Sequence, residues 1–573
     1  MTGNKKMTYG PTLPFSQELH AAKYRAINES FEQCATRQAD ALKDGEDHFR
    51  AYRDILLDQR FLPGGRVQNA MGSPRIVTPY NCFVSGIIRD SMTSIMKVLG
   101  QAGDTMRLGG GVGYDFSRIR YRGAAISTLG SQATGPVEWM ELFNAMGGVL
   151  RSVGERKGAQ MAVLRVDHPD IEEFVQCKQN EHRFRNFNIS VGVTDEFMSA
   201  VQADANFDLR FAGRRIRTIK ATALWDMIMR STWDWAEPGV IFLDTINRMN
   251  NLWYCERIEA TNPCGEQPLP AHAACLLGSV NLVKYVRKTA YDKELYLDLN
   301  SMEDDLYHIV RAMDNVVDRA VYPMKEQEES AKSKRRMGIG VTGLANAIEA
   351  LGHPYGSPGF LMEANRVLGT LKIKTYAASI ELAKEKGSFP ALKRDDYLSG
   401  GFIQTLPKAI QDGIESHGIR NSHLTSIAPT GTISLSADNV SGGIEPVIFL
   451  EQKRVSRMPD GEREVTLQDY GLRVFGTTGK TSVECSTEDH LNVLFTAQRH
   501  VDSAVAKTCN IDDRCNWDAF KGIYMAAWEG GAKGLTTYNP TGKRGAVVRD
   551  VRSNLPVEGA ACKIAADGTR SCD

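Results

Sequence analysis

Short apolar runs set between helical stretches constrain this chain most. Residues 163–166, Phe187–Val193, 240–243 and 276–283 are rich in Val, Ile, Leu and Phe. A helical pattern starts at Asp195 after the second run, and another, Ala221–Trp235, precedes the third. Runs this short and this apolar read as strands covered on both faces. Strands that alternate with helices pack as an α/β architecture with parallel strands. Long helical patterns at 301–320, 361–386 and 488–507 supply the cover. Residues 1–60 read as a helical N-terminal lead, with Tyr52, Ile55 and Leu56 at helical spacing. Pro63, Gly64 and Gly65 end it. No linker or repeat divides 61–550, which reads as one large domain. Apolar periodicity stops near Val551, so 551–573 reads as a flexible tail.

Composition narrows the function classes. Lys+Arg and Asp+Glu both number 69, so no basic field points to nucleic acid. Residues 1–15 lack a signal-peptide core, and no apolar run is long enough to span a bilayer. The cysteines number 11, an odd count without a dense framework, which suits free thiols in a reducing cytoplasm. No Cys-x-x-Cys or His-Glu-x-x-His spacing occurs, so no metal site is expected; His490, His500, Cys509 and Cys515 read as ordinary residues.

The stretch 261–269, Thr-Asn-Pro-Cys-Gly-Glu-Gln-Pro-Leu, carries the chemistry. Pro263 and Pro268 exclude helix and central strand, so this is a loop, and Gly265 lets it bend beside Cys264. In an extended loop Asn262, Cys264 and Glu266 point to one side. A thiol, a base and an amide then face one ligand. A lone cysteine is more often a small buried hydrophobe, but the polar flanks and the prolines favour the site. Residues 426–434 offer hydroxyls around a glycine turn, a nest suited to an anion, with a plain capped turn as the equal alternative. The glycine run 109–113 is weak evidence for phosphate, since tight turns explain it as well. Residues 476–481 fall short of a P-loop, because Val474 stands where the first glycine belongs.

Several separated motifs then fall in one order: Asn81 to Val84, 109–120, 158–161 with 165–169, 262–266, 278–282, 336–340, 428–434 and 534–538. The set resembles the adenosylcobalamin-dependent class II ribonucleotide reductases, over most of the chain from Phe61 to Tyr538. The resemblance implies a ten-stranded α/β barrel of two five-stranded half-sheets around a central finger loop, with 61–550 as the catalytic barrel. It implies reduction of ribonucleotides, expected as diphosphates, to 2′-deoxyribonucleotides. Cys264 resembles the thiyl-radical cysteine, and Cys82 and Cys275 the reducing pair. Glu266 matches the base at the 3′-hydroxyl, and Asn262 the amide that orients the substrate. Asn81, with Ala428, Pro429, Thr430, Gly431 and Thr432, matches the substrate-binding positions. Asp90 and Ser91, with the loop 154–160, match the region that takes a deoxynucleoside triphosphate effector. Val67 stands where the family has a threonine that contacts substrate.

Class and partners also follow from the resemblance. Class I large subunits receive their radical through two adjacent tyrosines, and Thr536 and Thr537 stand in that place. Threonine cannot carry a redox-active hole, so adenosylcobalamin is the expected cofactor. The alternatives are a class I large subunit that needs a metal-radical partner, and a non-catalytic nucleotide-binding regulator. Residues before Phe61 are too few for an ATP cone, so no dATP shut-off through one is expected. Cys562 and Cys572 read as a swinging dithiol that a thioredoxin-like protein reduces. A homodimer is expected.

Overall fold

The computed structural model describes residues 9–152, 156–179, 183–291, 293–458, 461–512, 515–540, 542–543, 548–550, 556–557, 563–564 and 570–571. Cys562 and Cys572 of the expected redox tail, and residues 154 and 155 of the expected effector loop, lie outside them.

Ten strands form the main sheet: β1 (Phe61–Pro63), β2 (Cys82–Val84), β3 (Gly111–Asp115), β4 (Gln160–Arg165), β5 (Phe187–Val193), β6 (Gly239–Phe242), β7 (Ala274–Asn281), β8 (Met337–Thr342), β9 (Thr508–Asn510) and β10 (Gly534–Tyr538). β2 to β6 are parallel to one another in sequence order. β7 is antiparallel to β2 and parallel to β8. At the other end β10 is antiparallel to β6 and parallel to β9. β1 pairs with β7 at Gly278–Val280, on the edge where β2 pairs at Ala274 and Cys275.

Beyond the named strands, the chain at 423–427 runs beside β8. Met337 N donates to His423 O (3.0 Å) and Ile339 N to Leu424 O (2.8 Å). The same stretch is then bonded to 503–506: Ser503 N to Thr425 O (3.1 Å), Ile427 N to Ala504 O (3.1 Å) and Ala506 N to Ile427 O (2.8 Å). That second stretch leads into β9. The sequence pattern places it in a helix over 488–507, but the helix spans Thr487–Gln498. Ala504, Val505 and Ala506 are the apolar part of this stretch, and a short strand and a helix end look alike in periodicity.

Alternate residues of the strands serve two faces. Phe83, Tyr114, Ala162, Leu164, Val191, Val240 and Leu276 pack under the helices in the large core. Cys82, Val84, Met161, Val163, Ile241, Cys275 and Leu277 form a second cluster on the opposite face. β7 is buried at all eight positions, as a strand covered on both faces should be. The N-terminal helices α2 (Phe31–Leu42) and α3 (Glu46–Leu57) lie against the long helix Leu299–Arg319, and α1 (Pro14–Tyr24) packs on α2 and on the short helix Gly65–Ala70. Asn315 Nδ2 donates to Leu42 O (2.8 Å) and Arg311 pairs with Asp44 (3.1 Å).

Candidate active site

The loop at 262–267 is the tip of a hairpin whose two arms, Ala260–Thr261 and Pro268–Leu269, pair antiparallel. Asn262 closes the tip. Its N–H donates to Gln267 O (3.1 Å), and its side-chain Oδ1 accepts from Gln267 N (2.9 Å). Gly265 sits at φ +84°, where a side chain would be strained, and its N–H bonds Asn262 O (3.1 Å). The hairpin crosses the second cluster's face of the sheet. On one side Asn188 Nδ2 donates to Pro263 O (2.8 Å). On the other, Ser426 Oγ and Ala504 N both donate to Glu266 O (2.9 and 3.0 Å). Passage needs a bare backbone at Gly113 of β3: a β-carbon there would lie 1.9 Å from Thr261 O.

Five of the expected residues meet at this tip, Cys82, Cys275, Asn262, Cys264 and Glu266. Cys82 and Cys275 are direct partners across the antiparallel β2–β7 pair. Such partners have Cα atoms about 4.5–5.5 Å apart, inside the range a disulfide spans. Both are free thiols here. Cys82 Sγ lies 3.8 Å from Glu266 Oε1 as its donor and 3.1 Å from Asn262 Nδ2. So Asn262 ties the tip to β2 with one side chain. Burial pushes the Cys82 thiol well above its ordinary pKa, and Glu266, Cys264 and Cys275 add to the rise. Burial does the same to Cys275. Both therefore hold their protons at neutral pH. Cys264 is half-buried, whereas Asn262, Glu266, Cys82 and Cys275 are all buried.

Cys264, Pro263 and Gly265 border a recess also lined by Asn188, Ser190, Lys507 and the β10 residues Thr536 to Tyr538. Thr537 shares a hydrogen bond with Tyr524 (3.0 Å). Lys507 is buried and paired with Glu445, with His490 Nδ1 2.7 Å from its Nζ. His490 is thus a core partner of a lysine, as an ordinary reading has it.

The remaining expected positions are placed as follows. Thr430 has φ +55° and caps the short helix Gly431–Leu435. Its hydroxyl is engaged by Thr342 Oγ1 (3.0 Å) and Gly443 N (2.7 Å), so the hydroxyl shapes the turn. Asp90 accepts from Arg120 Nε (2.6 Å) and Ser91 caps helix α5 (Met92–Arg107). Gln160 is a buried strand residue that bonds Tyr114 OH (2.9 Å) and Phe143 O (2.9 Å). Val67 is buried in the core. Among the described residues no cluster of His, Cys, Asp and Glu could hold a metal ion. Sequence reasoning missed Asn188, although a polar residue facing inward in the apolar run Phe187–Val193 was a visible signal.

With this geometry in place, the family described as "Ribonucleotide reductase, barrel domain" matches residues 80–538. A vitamin B12-dependent ribonucleoside-diphosphate reductase of Mycobacterium tuberculosis (strain CDC 1551 / Oshkosh) is 34% identical, over 90% of this chain and 76% of that protein. Another of that name, from Thermoplasma acidophilum, is 33% identical over 81% of this chain and 61% of its own length. A ribonucleoside-diphosphate reductase large subunit of vaccinia virus (strain Copenhagen) is 28% identical over 69% and 55%.

Proposed function

The chain belongs to the ribonucleotide reductase barrel-domain family, and from that membership we propose that it reduces ribonucleotides, expected as diphosphates, to 2′-deoxyribonucleotides with adenosylcobalamin as cofactor. The observation that carries the reading is one buried meeting place for Cys82, Cys275, Glu266 and the Cys264 loop. The relatives named vitamin B12-dependent support the cofactor.

Removing a 2′-hydroxyl is hard because hydroxide leaves badly, and a radical at the 3′-carbon makes its departure easy. Cys264 exchanges a hydrogen atom with that carbon, since S–H and C–H bonds are similar in strength. Glu266 takes the 3′-hydroxyl proton, a transfer typically worth about 10²–10⁴-fold. Cys82, held protonated by burial beside Glu266, gives its proton to the departing 2′-hydroxyl, which leaves as water. The two electrons come from Cys82 and Cys275, whose sulfurs join as a disulfide. Asn262 keeps Cys82 and the loop in register for these steps. The buried site keeps water from the radical.

The recess beside Cys264 fits the cofactor's adenosyl end. It opens on the least buried of the reacting groups, and Asn188, Ser190 and Thr536 would hold the ligand's polar edges. When bound, the cofactor supplies an organic radical by homolysis of its cobalt–carbon bond. The two antiparallel sets of strands, bridged by 423–427 and 503–506, support a closed ten-stranded barrel of two five-stranded halves with the hairpin as its finger. The amides at Gly431 and Thr432 are assigned to the substrate phosphate, with Asn81 beside Cys82. A deoxynucleoside triphosphate beside Asp90 and Ser91, and a thioredoxin-like reductant acting through Cys562 and Cys572, complete the reading. Met92 and Met96 on α5, with Leu142 and Val149 on α6 (Pro136–Val149), are exposed and suit a homodimer face.

The test is a single turnover. The Cys562→Ser, Cys572→Ser protein, whose tail cannot re-reduce the pair, is reduced, freed of dithiol, and mixed with CDP and adenosylcobalamin. We expect up to one deoxynucleotide per chain, and peptide mapping should find Cys82 joined to Cys275. No product, or a disulfide elsewhere, would overturn the assignment.

A further inference from the structure

Arg66 is 6% exposed, and no carboxylate accompanies it. Among the described residues its guanidinium makes no hydrogen bond and no ion pair. The one ionisable group whose charge reaches it is the Tyr24 phenol. Burial lowers its pKa to about 10, so it stays charged at neutral pH. An uncompensated buried charge is costly, and such a group persists where something else neutralises it.

Its position says what that partner is. β1 and β2 line one edge of β7, and the chain leaves the sheet between them at Gly64 and returns at Asn81. Gly64 N donates to Leu277 O (2.8 Å), and a β-carbon on Gly64 would lie 3.5 Å from Asn81 Oδ1. Arg66 stands two residues on, in the short helix α4 (Gly65–Ala70). Its guanidinium lies over Gly109, whose backbone at φ +104° leaves 2.8 Å between a would-be β-carbon and Arg66 Cζ. Two residues further, Gly111 N donates to Asn81 O (2.9 Å), and a β-carbon on Gly111 would lie 3.2 Å from Pro263 Cγ of the finger. Asn81 Oδ1 is also buried without a partner among the described residues. An unpaired cation and an unpaired amide oxygen thus flank the break in the sheet that leads to Cys82.

We propose that Arg66 is a specificity-determining residue that takes an oxygen of the substrate's polyphosphate, so that this site selects phosphorylated nucleosides by charge at the Asn81 side. The inference rests on the reductase reading above. A guanidinium offers paired N–H donors in the geometry of a phosphate, and a dry site strengthens the bond. The expected ligand order is cytidine, then CMP, then CDP and CTP, in rising affinity.

The experiment is calorimetric titration of the cofactor-free protein with cytidine, CMP, CDP and CTP. Arg66→Gln should weaken CDP by about 10- to 100-fold, the scale of a lost hydrogen bond to a charged group, and leave cytidine unchanged. Arg66→Lys should restore part of the loss. Arg66→Met should melt at or above the wild type, because a buried unpaired charge has gone. Sodium pyrophosphate should raise the melting temperature of the wild type and not of Arg66→Met. An Arg66→Gln protein that keeps the wild-type ratio of CDP to cytidine affinity overturns the inference alone. So does an Arg66→Met protein that pyrophosphate still stabilises. A wild type that binds none of the four ligands overturns the reductase reading, and the inference with it.

Discussion

Cys264 differs from its neighbours in being half-buried, which lets it face both the recess and the buried group behind it. Cys264→Ser should abolish product while leaving nucleotide binding intact, because a hydroxyl O–H is too strong to relay a hydrogen atom. Substantial turnover by that variant would remove Cys264 from the mechanism. Glu266→Gln keeps the shape but loses the base, so kcat should fall about 10²-fold or more at unchanged CDP affinity. An unchanged kcat would make the carboxylate structural. The spacing of Asn262, Cys264 and Glu266 was readable because a proline-bracketed loop has few other uses. Asn262's second bond, to Cys82 180 positions away, was not, since local sequence carries no register between distant strands. Arg66 was invisible for a related reason: a surface arginine and a buried unpaired one look the same in a sequence.

At the scale of elements, the finger depends on how closely it passes β3. Gly113→Ala adds one carbon 1.9 Å from Thr261 O. Either the hairpin or the strand must move, and overpacking of this kind costs roughly 1–3 kcal/mol. Denaturant titration should show that loss, and wild-type stability would mean the hairpin has room to shift. A second element shows a pH signature. Glu349, in the helix Leu344–Ala350, is buried and accepts from Lys480 N (2.7 Å) and Tyr355 N (3.1 Å). Burial, with Asp469 and Glu484 nearby, pushes its pKa up to about 7 from 4.5. The folded state then binds more protons than the unfolded state between those values. Stability attributable to Glu349 therefore falls as pH rises from about 4.5 through 7, by roughly 3 kcal/mol at full effect. Glu349→Gln should melt higher than the wild type at pH 8, with the gap closing toward pH 5. Parallel melting curves at both values would contradict it. The strand-and-helix alternation that set the fold class was legible at 163–166, Phe187–Val193 and 240–243. The stretch 503–506 was not, because three apolar residues fit a helix end as well as a strand.

At the scale of the whole molecule, the account joins a sheet with two antiparallel sets of strands, a hairpin that spans them, and an interior with thiols on one wall and the β10 threonines on another. The order of motifs along the chain made the family legible before any single site was. The proposed closure of the sheet rests on two short unlabelled stretches that no local pattern marks. The origin of the radical separates this reading from a class I large subunit. Thr536 and Thr537 occupy β10 beside the recess, and neither can carry an electron hole. The most direct measurement is deoxynucleotide formation by the purified protein with CDP, a dithiol and adenosylcobalamin, each omitted in turn, and with no second subunit added. The account predicts multiple turnovers with the complete mixture and none without adenosylcobalamin. Turnover that appears only when a separate metal-containing subunit is supplied would contradict it.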